Sequence, residues 1–317
     1  MIFLNLLPSD IEDLRHQYYN ATVHGIHLVH ENLMILRVQP DQGLPSFRPG
    51  QFTILGLGTW EPCITESLSA PTYSDPLVLI KRAYSISCSM LDSSGNLVRP
   101  TETPYLEFYI ARIGQSDFTK PVLTPRLFGL KEGARLFCGE EPRGHYVLPA
   151  LADTAKVVFA ATGTGEAPHN AMLAELLSNN YRGKIVLITC VRQKKDLAYA
   201  EVHHELERRY PDYRYLALTT REPENVDSTN PTFVGKRYLQ DYFRSGNFEQ
   251  DTQLKLSPTD THVFLCGSPG MIGSAHTGTT TKSQSVELPG MVDVLEQRGF
   301  RLDGSSSSGN IHTERYW

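Results

Sequence analysis

From residue 21 to about residue 148 the apolar positions come in short alternating or β-branched runs, cut at close intervals by Pro and Gly. Residues 21–30, 33–38, 51–57, 77–88, 105–112 and 134–138 each read as a strand, because alternation puts one set of side chains on a core face and their neighbours on the other. Six short strands with few helical signals predict an antiparallel six-stranded barrel. A short helix is expected at 123–130, where Thr124 can cap and Pro125 can open the first turn without needing an N–H. After Leu148 and Pro149 the texture changes. Continuous apolar runs at 156–161, 184–191, 214–219 and 261–266 read as buried strands, and the stretches 167–177, 200–210, 238–244 and 291–298 read as helices. Strands alternating with helices need crossover connections, hence a doubly wound parallel sheet. The expected organisation is a barrel domain over residues 1–150 followed by an α/β domain over residues 151–317.

Composition agrees with this division and narrows the function. A chain of 317 residues suits two domains of roughly 150 residues each, and 40% apolar against 21% charged residues lets both bury a core. The net charge is -5, with no basic excess in either half, so a nucleic-acid partner is not expected. Cys63, Cys88, Cys138, Cys190 and Cys266 stand singly, without the paired spacing of a zinc or iron–sulfur site, and their odd number favours a reducing compartment. Residues 1–7 are apolar but carry no basic leader and run into Asp10, Glu12 and Asp13. No run reaches the roughly 20 apolar residues of a membrane helix, so a cytoplasmic protein is expected, with no membrane partner. The Gly/Ser/Thr-rich stretches 273–285 and 304–309 read as mobile surface insertions.

Two segments carry chemistry. Gly163-Thr164-Gly165-Glu166-Ala167-Pro168 follows a strand and opens a helix, where free N–H groups and the helix dipole attract an anion and glycines allow a pyrophosphate to approach. The third glycine of the dinucleotide fingerprint is missing. Thr220 and Arg221 follow the third strand, Lys236 and Arg237 come after a glycine further on, and Arg192 with Lys194 and Lys195 follows the second strand. Ligands of open parallel sheets lie beyond the carboxyl ends of the strands, and an Arg there suits a 2′-phosphate. Each of these cations could equally be a solvated loop charge. In the first half, Lys81-Arg82-Ala83-Tyr84-Ser85-Ile86 places Arg82 and Tyr84 on one strand face and Ser85 on the other. A guanidinium beside a phenol can hold a pyrophosphate while the ring stacks on a heterocycle, with Thr124 as a second phosphate contact; an exposed Arg beside a packing Tyr is the plainer reading.

Arg82-Ala83-Tyr84-Ser85 resembles the R-x-Y-S flavin motif of the ferredoxin–NADP reductase family, and Gly163 to Pro168 resembles its G-T-G-x-A-P turn. Cys266-Gly267-Ser268-Pro269-Gly270-Met271 is similar to its C-G-x-P-x-M segment, Pro49-Gly50-Gln51-Phe52 to an early barrel loop, and Leu106-Glu107-Phe108-Tyr109 to the strand beside the flavin. The ending Thr313-Glu314-Arg315-Tyr316-Trp317 resembles the aromatic tail of bacterial NADPH–ferredoxin/flavodoxin reductases. The resemblance implies FAD in the barrel and NADP(H) in the α/β domain, the two rings meeting at a cleft between them. It places Arg82 and Ala83 at the FAD pyrophosphate, Tyr84 on the isoalloxazine and Ser85 near N5. Phe108, Tyr109 and Ile110 line the flavin, and Val122, Leu123 and Thr124 stand at its phosphates. Thr164, Arg192, Thr220, Arg221, Lys236, Arg237 and the segment Cys266 to Met271 fall to NADP(H). Tyr316 covers the flavin ring and Trp317 the adenine, with Cys266 and Glu314 by the nicotinamide.

The implied activity is electron exchange between NADP(H) and ferredoxin or flavodoxin, by a monomer. Its candidate catalytic residues are Ser85, Cys266, Glu314 and Tyr316. Hydride transfer depends mostly on positioning, so Tyr316 must swing aside for the nicotinamide, and the glycine-bounded run at 304–309 is expected to free the tail. Ser85 and Cys266 have no placed His partner and need none, and His169 and His312 read as solvated or structural. An acidic carrier needs a local basic patch, for which Arg48, Arg126, Lys131, Arg135, Arg143, Arg192, Lys194 and Lys195 are candidates. Glu166 places a negative charge by the expected phosphates, where relatives often carry a small or apolar residue. The alternatives are an NAD(P)H-dependent flavin or oxygenase reductase and a flavin-binding sensing module without sustained turnover.

Overall fold

The computed structural model of the chain describes residues 6–64, 77–113, 122–273, 289–304 and 308–316. The chain forms two compact units, Met1–Val147 with Asn170–Glu175, and Leu148–His169 with Leu176–Trp317. None of the described helices is long and apolar enough to cross a membrane.

The first unit opens with helix α1 (Pro8–Tyr18), which the sequence reading did not anticipate. It buries none of its residues, so its pattern shows no apolar stripe for periodicity to detect. It is anchored instead by polar contacts: Arg15 donates twice to Glu61, at 2.9 and 2.8 Å. The following Tyr19 donates its hydroxyl to Glu61 at 3.0 Å and accepts from the Gly58 N–H at 2.9 Å.

Six strands follow: β1 (Ala21–His30), β2 (Leu33–Pro40), β3 (Phe52–Gly58), β4 (Leu79–Ser85), β5 (Leu106–Ala111) and, after helix α2 (Thr124–Leu127), β6 (Arg135–Cys138). They form one antiparallel sheet in the order β4-β3-β6-β1-β2-β5. Its two ends meet beyond β4, where the Ser87 N–H donates to the Glu107 carbonyl of β5 at 2.7 Å. The antiparallel barrel expected from alternation is therefore present, and it closes through an isolated bridge outside the strand itself. Met34, Leu36, Leu55, Phe108 and Leu136 are among its fully buried core residues.

The second unit holds β7 (Lys156–Thr162), β8 (Ile185–Val191), β9 (Tyr213–Thr219), β10 (Thr261–Gly267) and β11 (Ile311–Arg315), all parallel, in the order β11-β10-β7-β8-β9. Its helices are α3 (Glu166–Ser178), whose residues Asn170–Glu175 group with the first unit, α4 (Ala200–Arg209), α5 (Pro223–Val226), α6 (Leu239–Arg244), α7 (Asn247–Thr252), α8 (Pro269–Ile272) and α9 (Met291–Glu296). One sheet face packs Val158, Ile188 and Val263 against Leu239, Phe248 and Leu295 of α6, α7 and α9. On the other face Phe159 meets His169 of α3 at 5.0 Å, and Tyr215 stacks on His203 of α4 at 4.4 Å. Helices thus cover both faces, as a doubly wound sheet requires.

The reading of four strands was one short. Ile311-His312-Thr313-Glu314-Arg315 has a single aliphatic residue, too little pattern to read as a strand, and becomes one by pairing in register with β10. Helix α7 was missed for a similar reason, since Phe248 is its only buried residue.

Candidate functional site

On the barrel, β4 pairs with β3 without a register break, so Ile80, Arg82, Tyr84 and Ile86 share one parity. Ile80 and Ile86 are core residues, and Tyr84 packs against that core half-buried. Arg82 occupies the same parity but is exposed, as are Lys81 and Ala83 on either side. Three consecutive exposed residues in a barrel strand leave its wall open to a ligand. Arg82 has no carboxylate partner among the described residues and donates only to the adjacent Lys81 carbonyl, at 2.8 Å. Burial pushes the Tyr84 phenol well above its ordinary pKa, with Arg82 opposing the shift, so the ring is a neutral surface. Ser85 is buried on the opposite parity.

Thr124 opens α2 with its hydroxyl accepting from the Ile113 N–H at 3.3 Å. Leu123, Phe108 and Ile110 turn their side chains away from any ligand. All three are barrel-core residues exposed by 3% or less, so their side chains face inward and leave only main chain for a ligand. Tyr109 takes the opposite parity of β5, and Val122 is half-buried against the core.

In the second unit the strand order reverses between β7 and β10, the position at which open α/β sheets bind ligands beyond their carboxyl ends. The chain leaves β7 through Gly163 in the left-handed region, at φ 53°, and a short 3-10 turn to Gly165. Gly165 lies so close to β10 that a Cβ there would stand 2.3 Å from the Cys266 carbonyl oxygen. Gly267, at φ 130°, approaches Thr162 in return: a Cβ would stand 2.2 Å from the Thr162 hydroxyl oxygen, which accepts from the Ser268 N–H at 2.8 Å. Two glycines from different strand ends therefore clamp the switch point and leave N–H-rich backbone where an anion is received. Thr164 is half-buried in this turn. The Ser268 hydroxyl caps α8 by accepting from the Met271 N–H at 3.3 Å, with Pro269 and Gly270 exposed and Met271 buried.

The cations gather at the ends of β8 and β9. Arg192 accepts the Arg221 N–H on its carbonyl at 2.8 Å, which binds the two strand ends together, and Thr220 is buried between them. The loop after β9 folds back, with Asn225 donating to the Gly235 carbonyl at 3.0 Å and Cys190 of β8 donating to the Arg237 carbonyl at 3.5 Å. The fold thus returns Lys236 and Arg237 to Arg192 and Arg221. All four side chains are exposed and make no ion pair among the described residues.

Strand β11 sets Glu314 beside Cys266 and Arg315 beside Gly267. Tyr316 donates its N–H to the Gly267 carbonyl at 3.0 Å, and its side chain hydrogen-bonds the Cys266 thiol. Burial holds that thiol well above the ordinary cysteine pKa, against the Tyr316 bond, so Cys266 is a neutral group and no nucleophile. Burial likewise raises the Glu314 carboxyl. Residues 311–315, which lie between the run at 304–309 and Tyr316, pair in register with β10. Trp317 lies outside the described residues, as do residues 274–288.

The order of these features along the chain matches known proteins. Residues 159–277 match the oxidoreductase NAD-binding domain. Over 95% of its length the chain is 27% identical to the flavodoxin/ferredoxin–NADP reductase of Buchnera aphidicola subsp. Schizaphis graminum, covering 99% of that protein. It is also 27% identical to the ferredoxin–NADP reductase of Pseudomonas aeruginosa, over 80% of this chain and 86% of that one. Over nearly its whole length the chain is similar to ferredoxin–NADP reductases. Its fold is that of the Neisseria gonorrhoeae ferredoxin NADP+ reductase, solved with bound FAD and NADP, at a TM-score of 0.66 and 18% identity over 93% of this chain and 97% of that one.

Two residues stand differently from what the sequence suggests. Glu166 does not threaten a phosphate: it is fully buried and bonded to His203 at 2.9 Å. Tyr238, which no motif singled out, is 42% exposed directly after Lys236 and Arg237, and the signal that marks it is an exposed aromatic next to unpaired cations. His169 and His312 are buried, so the solvated alternative falls; burial lowers the His169 pKa to about 3 and keeps it neutral. The expected basic patch shrinks. Arg126 is buried against the Val122 and Thr59 carbonyls, while Arg135, Arg143 and Lys194 pair with Asp41, Glu141 and Glu224. Lys131, Arg192 and Lys195 remain exposed.

Proposed function

We infer that this chain is an FAD-dependent oxidoreductase that exchanges electrons between NADP(H) and a ferredoxin or flavodoxin. FAD and NADP(H) are its cofactors. The observation that carries the reading is the pairing, within one unit, of a glycine-clamped switch point with four uncompensated cations at the neighbouring strand ends. The first accepts a pyrophosphate, and the second a 2′-phosphate that NADP has and NAD lacks. FAD, when bound, would supply chemistry that accepts an electron pair as hydride from NADPH and releases electrons singly.

The chain's own residues bind, orient and exclude. Arg82 holds the FAD pyrophosphate together with the α2 start at Thr124, Tyr84 stacks on the ring, and Ser85 hydrogen-bonds at its edge. Arg221, Lys236, Arg237 and Arg192 hold the 2′-phosphate, with Thr220 setting the backbone and Tyr238 stacking on the adenine. Thr164 and the Cys266 to Met271 segment hold the nicotinamide end. There Cys266 is a contact group, and Glu314, its pKa raised by burial, keeps its proton to a higher pH than an ordinary carboxyl. The five unpaired cysteines fit a reducing compartment, the cytoplasm.

Tyr316 must give up its bond to the Cys266 thiol before a nicotinamide can reach that thiol. Removing residues 316 and 317 is expected to change the rate of flavin reduction in stopped flow and to improve NADH relative to NADPH. Unchanged reduction with both nucleotides would exclude a gate at this residue. For the carrier, reduction is expected to slow as ionic strength rises, because exposed Lys131, Arg192 and Lys195 must attract an acidic partner against the net charge of -5. Parallel assays with ferredoxin, flavodoxin and free FMN test the reading directly. A preference for free FMN would make the chain a flavin reductase, and no turnover even with a dye acceptor would make it a binding module.

A further inference from the structure

The residue that follows the glycine turn does two things in opposite directions. Glu166 closes the turn with its backbone, donating its N–H to the Gly163 and Thr164 carbonyls. Its side chain runs into the interior, fully buried, with Oε1 2.9 Å from Nε2 of His203 on α4. His203 is also fully buried, and its Nδ1 lies 2.8 Å from the Tyr213 hydroxyl on β9. Tyr215, two residues along β9, stacks on the same imidazole at 4.4 Å.

One tautomer satisfies the chain: Nε2–H donates to Glu166, and Nδ1 accepts from the Tyr213 O–H. Burial keeps the Tyr213 phenol protonated by raising its pKa well above the ordinary value, so the donor persists. A buried carboxylate and imidazole are costly to keep, and apolar residues of similar volume would hold α3 to α4 at least as firmly. What apolar packing cannot do is set a turn at one defined height, since a hydrogen-bonded chain has a fixed length and direction and a hydrophobic contact slides. The chain begins at the turn on β7 and ends on β9, the strand that delivers Thr220 and Arg221.

We propose that Glu166, His203 and Tyr213 are positioning residues that fix the Gly163–Gly165 turn relative to β9, so that the turn and Arg221 meet the same dinucleotide together. The proposal rests on the NADP(H) reading of this unit. It distinguishes these residues from Arg221, because the turn serves the part of the molecule that NADPH and NADH share. Misplacement of about 1 Å in such a site can cost up to about a hundredfold.

The test compares Glu166→Leu, Glu166→Gln, Tyr213→Phe and the double variant Glu166→Leu/His203→Leu in the full-length holoprotein, with a dye acceptor. Glu166→Leu is expected to raise KM about tenfold for NADPH and for NADH alike, with kcat changed far less. Glu166→Gln, whose amide oxygen still accepts from Nε2–H, should restore both KM values to within about twofold of the parent. The double variant should regain the melting temperature while KM stays high. If it regains the parent KM as well, the pair only packs the helices and the proposal is overturned. Should Glu166→Leu fail to fold, Tyr213→Phe alone decides: a shared rise in both KM values supports the chain, and no rise overturns it. A parent protein that neither oxidises NADPH nor binds 2′,5′-ADP would sink the nucleotide reading itself, which is a different failure from normal parent activity with unaffected variants.

Discussion

Replacing Arg82 with alanine is expected to give a colourless protein. The guanidinium is exposed at a register position where the barrel otherwise presents Ile80 and Ile86, and it makes no ion pair among the described residues. A charged hydrogen bond contributes about 1.5–3 kcal/mol, and every 1.4 kcal/mol is about tenfold in affinity. Losing a bidentate hold on a pyrophosphate should therefore weaken FAD binding by about a hundredfold or more, enough to lose the cofactor during purification. Arg82→Lys should recover part of this as a point charge without the fork. The check is the ratio of visible to ultraviolet absorbance of the purified variants, with equilibrium titration of FAD. A fully yellow Arg82→Ala protein would remove Arg82 from the flavin site. Because the side chain is exposed, the fold should survive and the melting temperature with saturating FAD should stay near that of the parent.

The second large effect is expected at Arg221. Arg221→Ala should raise KM for NADPH by roughly ten- to a hundredfold and leave NADH within about twofold, since only NADPH carries the group that the side chain reads. Lys236, Arg237 and Arg192 remain to hold the phosphate, which is why the loss should stop short of abolishing NADPH use. Equal loss with both nucleotides would move Arg221 from recognising the phosphate to supporting the loop, where its N–H already binds the Arg192 carbonyl. The contrast with Glu166→Leu, expected to impair both nucleotides together, lets the two ends of the site be assigned separately.

The site was partly legible before the fold. Arg82, Tyr84, Gly163, Gly165, Cys266 and Gly267 stood out because their chemistry is local: a motif of a few residues states its own strand or turn. Glu166 was misread because its neighbours in sequence are the turn, while its partner His203 comes 37 residues later on another helix. That Phe108 and Ile110 offer main chain and not side chain was not legible, because an apolar alternating strand does not say which of its faces is the core. Arg126, Arg135 and Lys194 looked like free surface charge because partners of theirs lie 67, 94 and 30 residues away in the sequence.

What the sequence determined by itself was the order and type of most elements, the antiparallel and parallel character of the two sheets, and the short motifs that resemble those of ferredoxin–NADP reductases. Those follow from side-chain periodicity and from glycines, which act over a turn or a strand. The tertiary structure alone decided the closure of the barrel through Ser87 and Glu107, and the return of Lys236 and Arg237 to Arg221. It alone decided that the last residues form β11, which sets Glu314 against Cys266 and ties Tyr316 to Gly267. An edge strand with one aliphatic residue has no pattern of its own. It becomes a strand only where β10 offers it a row of unpaired N–H and C=O groups.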